Sequence, residues 1–322
     1  MSASLLTEFQ QLQQLLNQRI IGQPHLIERL LITLLAKGHL LVEGPPGLAK
    51  TKAVKTLAEM IEGEFHRIQF TPDLLPADIT GTDIYRAETH QFEFQPGPIF
   101  HNIILADEIN RAPAKVQSAL LEAMGEGQVS VGQQSLPMKK LFMVMATQNP
   151  IEQEGTYPLP EAQLDRFLMQ VKIDYPQRDS ERKILDLVEN EARDKEQQHA
   201  ASELSESAIF DARQAILNLH MADSVKDYIV ELVMATRQPS KYSANLAKNI
   251  AYGVSPRATI ALSACARAQA WLHGQDFVSP QNVQAVIHDV FRHRLLLSYD
   301  AEADGISVEQ CIDSILEWVT VV

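Results

Sequence analysis

The stretch Leu40–Thr51, "LLVEGPPGLAKT", runs from an apolar segment through a glycine-punctuated turn to Lys50 and Thr51. Apart from Ala49 it keeps the spacing G-x-x-x-x-G-K-[ST] of a phosphate-binding loop, with Gly44, Pro45, Pro46, Gly47 and Leu48 in the turn. A short loop between a strand and a helix exposes consecutive backbone N–H groups, and the helix start adds partial positive charge, so phosphates are held there. Lys50 would reach the β- and γ-phosphates of ATP or ADP, Thr51 would give its hydroxyl to Mg²⁺, and Lys52 belongs to the same nucleotide-binding segment. Ala49 stands where glycine is usual, and a left-handed alanine costs about 1–2 kcal/mol. Since Lys50 and Thr51 open the helix, a negative φ is expected at Ala49, with Gly44 and Gly47 making the turn.

Two further segments can complete the chemistry. The run "IILADE" ends in Asp107 and Glu108, an acid pair at the carboxyl end of a strand, where open α/β sheets bind ligands. Asp107 would hold Mg²⁺, directly or through water, and Glu108 would be the general base toward the attacking water. In "MATQNP" Asn149 is the residue expected to orient that water. Taken singly, an apolar run ending in acids is common and an asparagine before Pro150 is more often a turn residue; the order of the three segments gives them weight.

These groups need a scaffold. "HLLVE", "EFHRIQF", "NIILADE", "LFMVMATQN" and "FLMQVKI" read as strands, and the helical patterns between them argue for a parallel α/β sheet with right-handed crossovers. Before the first strand, apolar positions recur at helical spacing over Leu5–Leu16 and again from Pro24 to a stop at Gly38. Residues 71–100 are rich in proline and contain the alternating "QFEFQ", and 127–140 alternate around Gly132 as a hairpin does. After Tyr175-Pro176 helical patterns take over, with helices expected over Ser207–Leu219, Val225–Arg237, Pro256–Leu272 and Pro280–Leu297. The polar stretch from Glu189 to Ser207 reads as a connection or a solvated helix end. The domain boundary is expected near Asp174–Asp179, giving a core over 1–176 and a helical unit over 177–322.

The order GPPGLAKT, IILADE-INRA, ATQNP, "EGTYPLPEAQLDRF" and "GVSPRA" resembles the MoxR branch of the AAA+ ATPases over nearly the whole chain, and the alanine before the lysine is typical of that branch. The resemblance implies an AAA+ P-loop fold: a five-stranded parallel sheet sandwiched by helices, then a smaller all-α lid. It implies ATP hydrolysis between the subunits of a ring, commonly a hexamer. Arg166 falls where the family carries its arginine finger, a cation offered to the next subunit's γ-phosphate; otherwise it is a surface partner of Asp165, worth little. Arg257, with Ser255 as N-cap and Pro256 at N1, matches the second sensor, by which the lid reads the γ-phosphate. Ile20, Ile21 and Gly22 of "IIGQ" match the adenine cradle, and Gln69 could couple occupancy to the partner face. The two irregular segments match insertion hairpins that face the pore or top of the ring. The partner implied is a protein with a von Willebrand factor A domain, and the task implied is remodelling, assembly or activation of client proteins, metal insertion among them.

Composition bounds the alternatives. The 322-residue chain is 45% hydrophobic and 21% charged, an ordinary globular balance. A net charge of −13 disfavours a nucleic-acid motor, leaving Lys139 and Lys140 as a small opening. A non-hydrolysing nucleotide switch is the other alternative, opposed by the full set of polar residues; a small-molecule kinase lacks an acceptor site. Cys265 and Cys311 have no CxxC spacing and the ten histidines are scattered, so neither a disulfide framework nor a metal beyond Mg²⁺ is expected. The N-terminus lacks the features of a signal peptide and no apolar stretch is long enough to span a bilayer, so a soluble, cytoplasmic protein is expected.

Overall fold

All five expected strands form in the computed structural model of the protein, which describes residues 3–132, 134–150, 155–193 and 204–321. Strands β1 (Leu40–Glu43), β2 (Phe65–Gln69), β3 (Ile103–Asp107), β4 (Met143–Gln148) and β5 (Met169–Lys172) pair in parallel in the order β2-β3-β4-β1-β5. Their side chains alternate between two cores. Leu40, Val42, Ile103, Leu105, Met143 and Met145 enter one, and Leu41, Ile104, Ala106, Val144 and Ala146 enter the other. A sheet buried on both faces needs this continuous apolar sequence.

Helix Lys50–Glu59 carries the chain from β1 to β2, and helix Ala114–Glu126 lies between β3 and β4. The two irregular segments contain antiparallel hairpins, Gly81–Arg86 with Gln91–Pro96 and Gln128–Val131 with Gln134–Pro137. The C-terminal region is built on helices Glu206–Leu217, Asp223–Arg237, Pro256–Leu272, Pro280–Phe291 and Val308–Trp318. It is not wholly helical: His220–Met221 pairs with Phe277–Val278, and Ile250–Tyr252 with Leu296–Leu297. Of the polar connection expected over Glu189–Ser207, residues 194–203 lie outside those described.

The helix expected to run from Pro280 to Leu297 stops at Phe291. Its continuation is drawn away by tertiary hydrogen bonds. Arg292 NH1 donates to the Gln170 carbonyl at 2.6 Å, His293 Nε2 lies 3.1 Å from the Phe167 carbonyl, and Arg294 donates to the carbonyls of Phe167 and Leu168. Helix Val308–Trp318 escaped the apolar pattern, although its capping box of Ser307 and Gln310 is a sequence signal for a helix start.

The larger core joins the N-terminal helices Ala3–Arg19 and Pro24–Leu35, one face of the sheet and the C-terminal helices into one apolar cluster. A buried ion pair crosses it. Arg29 Nε donates to Asp289 Oδ2 at 2.6 Å, Arg292 NH1 lies 2.8 Å from Asp289 Oδ1, and His25 stands alongside. Against burial, which raises it, the contacts with His25 and Arg29 hold the Asp289 carboxyl well below the usual carboxylate range.

His39, just before β1, ties three elements together. Its Nδ1 accepts the Val144 N–H at 3.0 Å, so the ring proton sits on Nε2, 3.2 Å from the Met124 carbonyl. Burial pushes its pKa down to about 4. The neutral ring is therefore favoured in the folded chain. Its contribution is fully present above the unfolded value of about 6.5 and is lost as pH falls toward 4, a span worth about 3 kcal/mol. Denaturant titrations are expected to show stability rising with pH between about 4 and 6.5, with a shallower rise in His39→Asn; an equal slope in both proteins would assign the effect elsewhere.

Candidate functional site

The neighbour relation β3-β4-β1 brings the carboxyl ends of three strands together, and the loop after β1 closes over them. The result is a cavity of about 410 Å³ lined by Pro46–Lys52, Arg67, Asp107, Glu108, Thr147 and Asn149. Gly44 enters the loop against Ile173: a Cβ there would lie 2.5 Å from Ile173 Cγ1 and 2.6 Å from its carbonyl oxygen, so only glycine fits. Gly47 follows with φ +84°, a left-handed turn in open space.

Ala49 departs from the expected negative φ: it is left-handed, with φ 56° and ψ 19°. The reason lies in the helix start. Ala49 is the N-cap of helix Lys50–Glu59, its carbonyl accepts the Ala53 N–H at 2.9 Å, and the chain must turn sharply to enter the helix there. Left-handed residues at 47 and 49 curl the backbone so that successive N–H groups form a concave anion nest. The missing glycine therefore leaves the loop strained, not open.

Lys50 Nζ donates to the Gly44 carbonyl at 2.7 Å, folding the side chain back across the loop. Burial lowers its pKa, against the opposing pull of Asp107, Glu108 and Glu43. Asp107 is buried with both carboxylate oxygens engaged. Oδ1 accepts from the Thr147 hydroxyl at 2.6 Å, and Oδ2 accepts from Arg67 Nε at 3.1 Å and NH2 at 2.6 Å. Glu108 is left-handed, φ 57° and ψ 50°, and its N–H donates to Thr147 Oγ1 at 2.9 Å. Its carboxylate accepts from Gln69 Nε2 at 3.0 Å and pairs with Arg111 Nε at 3.0 Å. Asn149 is buried at the rim of the same cavity.

Arg67 and Thr147 were missed by the sequence reading. Arg67 stands in an alternating strand whose next residue on the same face, Gln69, is in register with Asp107. Thr147 is a lone hydroxyl at the end of an apolar run, passed over for Asn149 two residues later; its polarity was the available signal.

The other predicted residues lie elsewhere. Arg166 and Arg257 line a second depression of about 390 Å³ together with Lys37, Asp165 and Arg294. Arg257 is thus absent from the lining of this chain's own cavity around Lys50. Its local geometry is as expected, with Ser255 Oγ accepting the Arg257 N–H at 3.1 Å and Pro256 at N1. Arg166 donates to the Leu121 carbonyl and does not pair with Asp165. Asp165 instead accepts from Arg294 Nε and from Ser255 Oγ, each at 2.8 Å. In the Ile20–Gly22 segment, Ile20 is buried and a Cβ on Gly22 would meet Pro176 at 3.0 Å. This segment packs on the start of helix Arg178–Arg193, outside the phosphate cavity.

The lining of the cavity fits a polyphosphate with Mg²⁺. It offers hard oxygen donors, the Thr51 hydroxyl and the Asp107 carboxylate, next to the Lys50 cation and a nest of backbone N–H groups. Among the described residues no group of three or more His, Cys, Asp or Glu side chains could hold another metal ion, and no helix is long and apolar enough to cross a membrane. Cys265 and Cys311 are buried free thiols.

Relief of the strain at Ala49 is measurable. Ala49→Gly removes about 1–2 kcal/mol of left-handed strain and adds back up to about 1 kcal/mol of unfolded-chain entropy. A net gain of about 0–2 kcal/mol is expected in a denaturant titration; a loss of stability would be inconsistent with a left-handed residue 49.

Comparison with known proteins places this geometry in context. Residues 39–169 match the ATPase family associated with various cellular activities (AAA), and residues 243–315 match the AAA lid domain. Chaperone MoxR1 of Mycobacterium tuberculosis is 50% identical over 93% of this chain and 78% of its own length. Protein MoxR of Paracoccus denitrificans is 33% identical over 88% of this chain and 87% of its own. The crystal structure of a Cytophaga hutchinsonii protein superposes with a TM-score of 0.89 at 44% identity, covering 99% of this chain and 96% of that one.

Proposed function

The chain belongs to the MoxR family of AAA+ ATPases, and from that premise we propose that it hydrolyses Mg²⁺-ATP at sites shared between neighbouring copies in a ring. One observation carries the reading. The phosphate cavity holds Lys50, Asp107 and Glu108, whereas Arg166 and Arg257 line a different depression of the same chain. A chain that keeps these cations away from its own phosphates can lend them to the next chain's.

In this reading the Gly44–Thr51 loop binds the phosphates through its N–H groups and Lys50, and the adenine is received near Ile20–Gly22. Thr51 and Asp107 would hold Mg²⁺, which would supply neutralisation of phosphate charge. Glu108 takes a proton from the attacking water, which Asn149 helps to orient. Arg166 and Arg257 of a neighbouring copy meet the charge that spreads over the transferring phosphoryl group. The energy serves a chaperone-like task on partner proteins, as the name of the mycobacterial relative suggests for that protein. A von Willebrand factor A domain partner, metal insertion as one such task, a hexamer and a cytoplasmic location extend the same reading on family resemblance. The two exposed hairpins are the surfaces offered to clients, with the exposed rings of Tyr85 and Phe92 in tilted contact, centroids 5.3 Å apart, on the first.

ATP turnover per chain, measured against protein concentration with Mg²⁺, tests this directly. A steep rise with concentration, abolished by Arg166→Ala, is expected; substantial turnover that stays flat on dilution would defeat the shared-site reading. A finer test uses Gly125, where an added Cβ would collide with the Arg166 guanidinium. A flexible side chain can swing aside cheaply, so Gly125→Ala should leave the unfolding midpoint nearly unchanged. Turnover should fall by about tenfold or more, since a misplaced arginine forfeits much of its 10³–10⁵ contribution.

A further inference from the structure

With Arg257 outside the cavity, Arg67 is the arginine that lines it, and its position was assigned no role by motif or spacing. We infer that Arg67 is the residue by which each chain distinguishes ATP from ADP in its own site. Its guanidinium leaves Asp107 for the terminal phosphate when Mg²⁺ takes the carboxylate. The inference rests on the reading of this cavity as the ATP site.

Three observations carry it. First, Arg67 gives both Nε and NH2 to a single oxygen, Asp107 Oδ2, at 3.1 and 2.6 Å, while Oδ1 is held by Thr147. The guanidinium thus occupies the coordination space of the carboxylate expected to hold the metal. A cation at that position and a Mg²⁺ held by the same carboxylate would compete for its negative charge, which would loosen the hold on Arg67. Second, the displaced group has freedom and a destination. The Arg67 side chain is 48% exposed, so no packing holds it to Asp107. A planar guanidinium released beside the phosphate loop is matched in charge and geometry to phosphate oxygens. The diphosphate lacks the terminal group, so only the triphosphate offers the full exchange.

Third, the move has a readout within the chain. Arg67 NH2 also donates to Gln69 Oε1 at 2.8 Å, and Gln69 Nε2 donates to Glu108 Oε2 at 3.0 Å. While Arg67 holds the Gln69 oxygen, the amide is fixed with its nitrogen toward Glu108. Loss of Arg67 from this chain of contacts frees the amide to turn, leaving Arg111 Nε as the remaining partner of Glu108 Oε2 and so changing the setting of the carboxylate that must meet water. Arg67 is therefore a positioning residue for Glu108 as well as a contact for the nucleotide.

Binding of a fluorescent diphosphate to the full chain, competed by ADP or by the non-hydrolysable β,γ-imido triphosphate with saturating Mg²⁺, tests the assignment without turnover. Measured at a concentration where chains are dilute, it reports each chain's own cavity and is independent of ring formation. Arg67→Ala is expected to lower the triphosphate-to-diphosphate affinity ratio about tenfold, the loss of one charge-assisted contact. Diphosphate affinity should change by less than about threefold, and Arg67→Lys should retain part of the discrimination, because an ammonium keeps the charge without the fork. An unchanged ratio in both variants, or equal losses for the two nucleotides, would reduce Arg67 to a counter-ion of Asp107 and overturn the inference. If the unaltered chain bound neither nucleotide, the assignment of the cavity itself would fall, and this inference with it.

Discussion

A single hydroxyl keeps the two acids of the site in order. Thr147 Oγ1 spends its proton on Asp107 Oδ1 and accepts the N–H of Glu108, so one oxygen fixes a carboxylate and the backbone of the next residue at once. That backbone needs fixing because Glu108 sits in the left-handed region, where a non-glycine residue is strained. The hydroxyl is available only because β4 lies next to β3 in a register that pairs Ala106 with Ala146, setting Asp107 beside Thr147. Parallel pairing, the apolar alternation that buries both faces, and the crossover helices all serve that registration. A valine at 147 would preserve shape and remove both hydrogen bonds from a buried position, leaving an unpaired donor and a less constrained acid.

The sheet and the phosphate loop were legible because their signals are local. An apolar run bounded by polar residues marks a buried parallel strand whatever its neighbours are, and the glycine, lysine and threonine spacing needs only a strand before it and a helix after it. Arg67 was not legible, because its meaning depends on β2 lying beside β3, a relation between residues separated by about forty positions that no local pattern encodes. The hand of Ala49 was misjudged for a related reason. Membership of a helix start suggested right-handed backbone, but an N-cap residue has its own conformation, set here by the closure of the loop. The helix after Pro280 was read too long because Arg292, His293 and Arg294 fit a helical pattern yet find better acceptors in residues 167–170.

Two carboxylates tie the C-terminal helical region to the part of the chain before it. Asp289, deep in the shared core, binds Arg29 of an N-terminal helix, and Asp165, beside Arg166, binds Arg294 and Ser255. Buried ion pairs of this kind add little net stability compared with apolar packing, but they are costly to leave half-made. Their effect is to specify one arrangement. The loop bearing Arg166 and the helix bearing Arg257 are held to each other through Asp165 and Ser255, within one lining.

A second chain of contacts links that arginine-bearing face to the loop after β1. Residues 292–294 grip the carbonyls leading into β5, β5 runs beside β1, and β1 delivers the chain to Gly44, which is pressed against Ile173 just beyond β5. The face bearing Arg166 and Arg257 and the Gly44–Thr51 loop are therefore connected in series by short, hydrogen-bonded backbone. The shortest path between the two faces of the chain therefore runs through the backbone beside β1 and β5, and a change at Ile173 would be felt at Gly44 first.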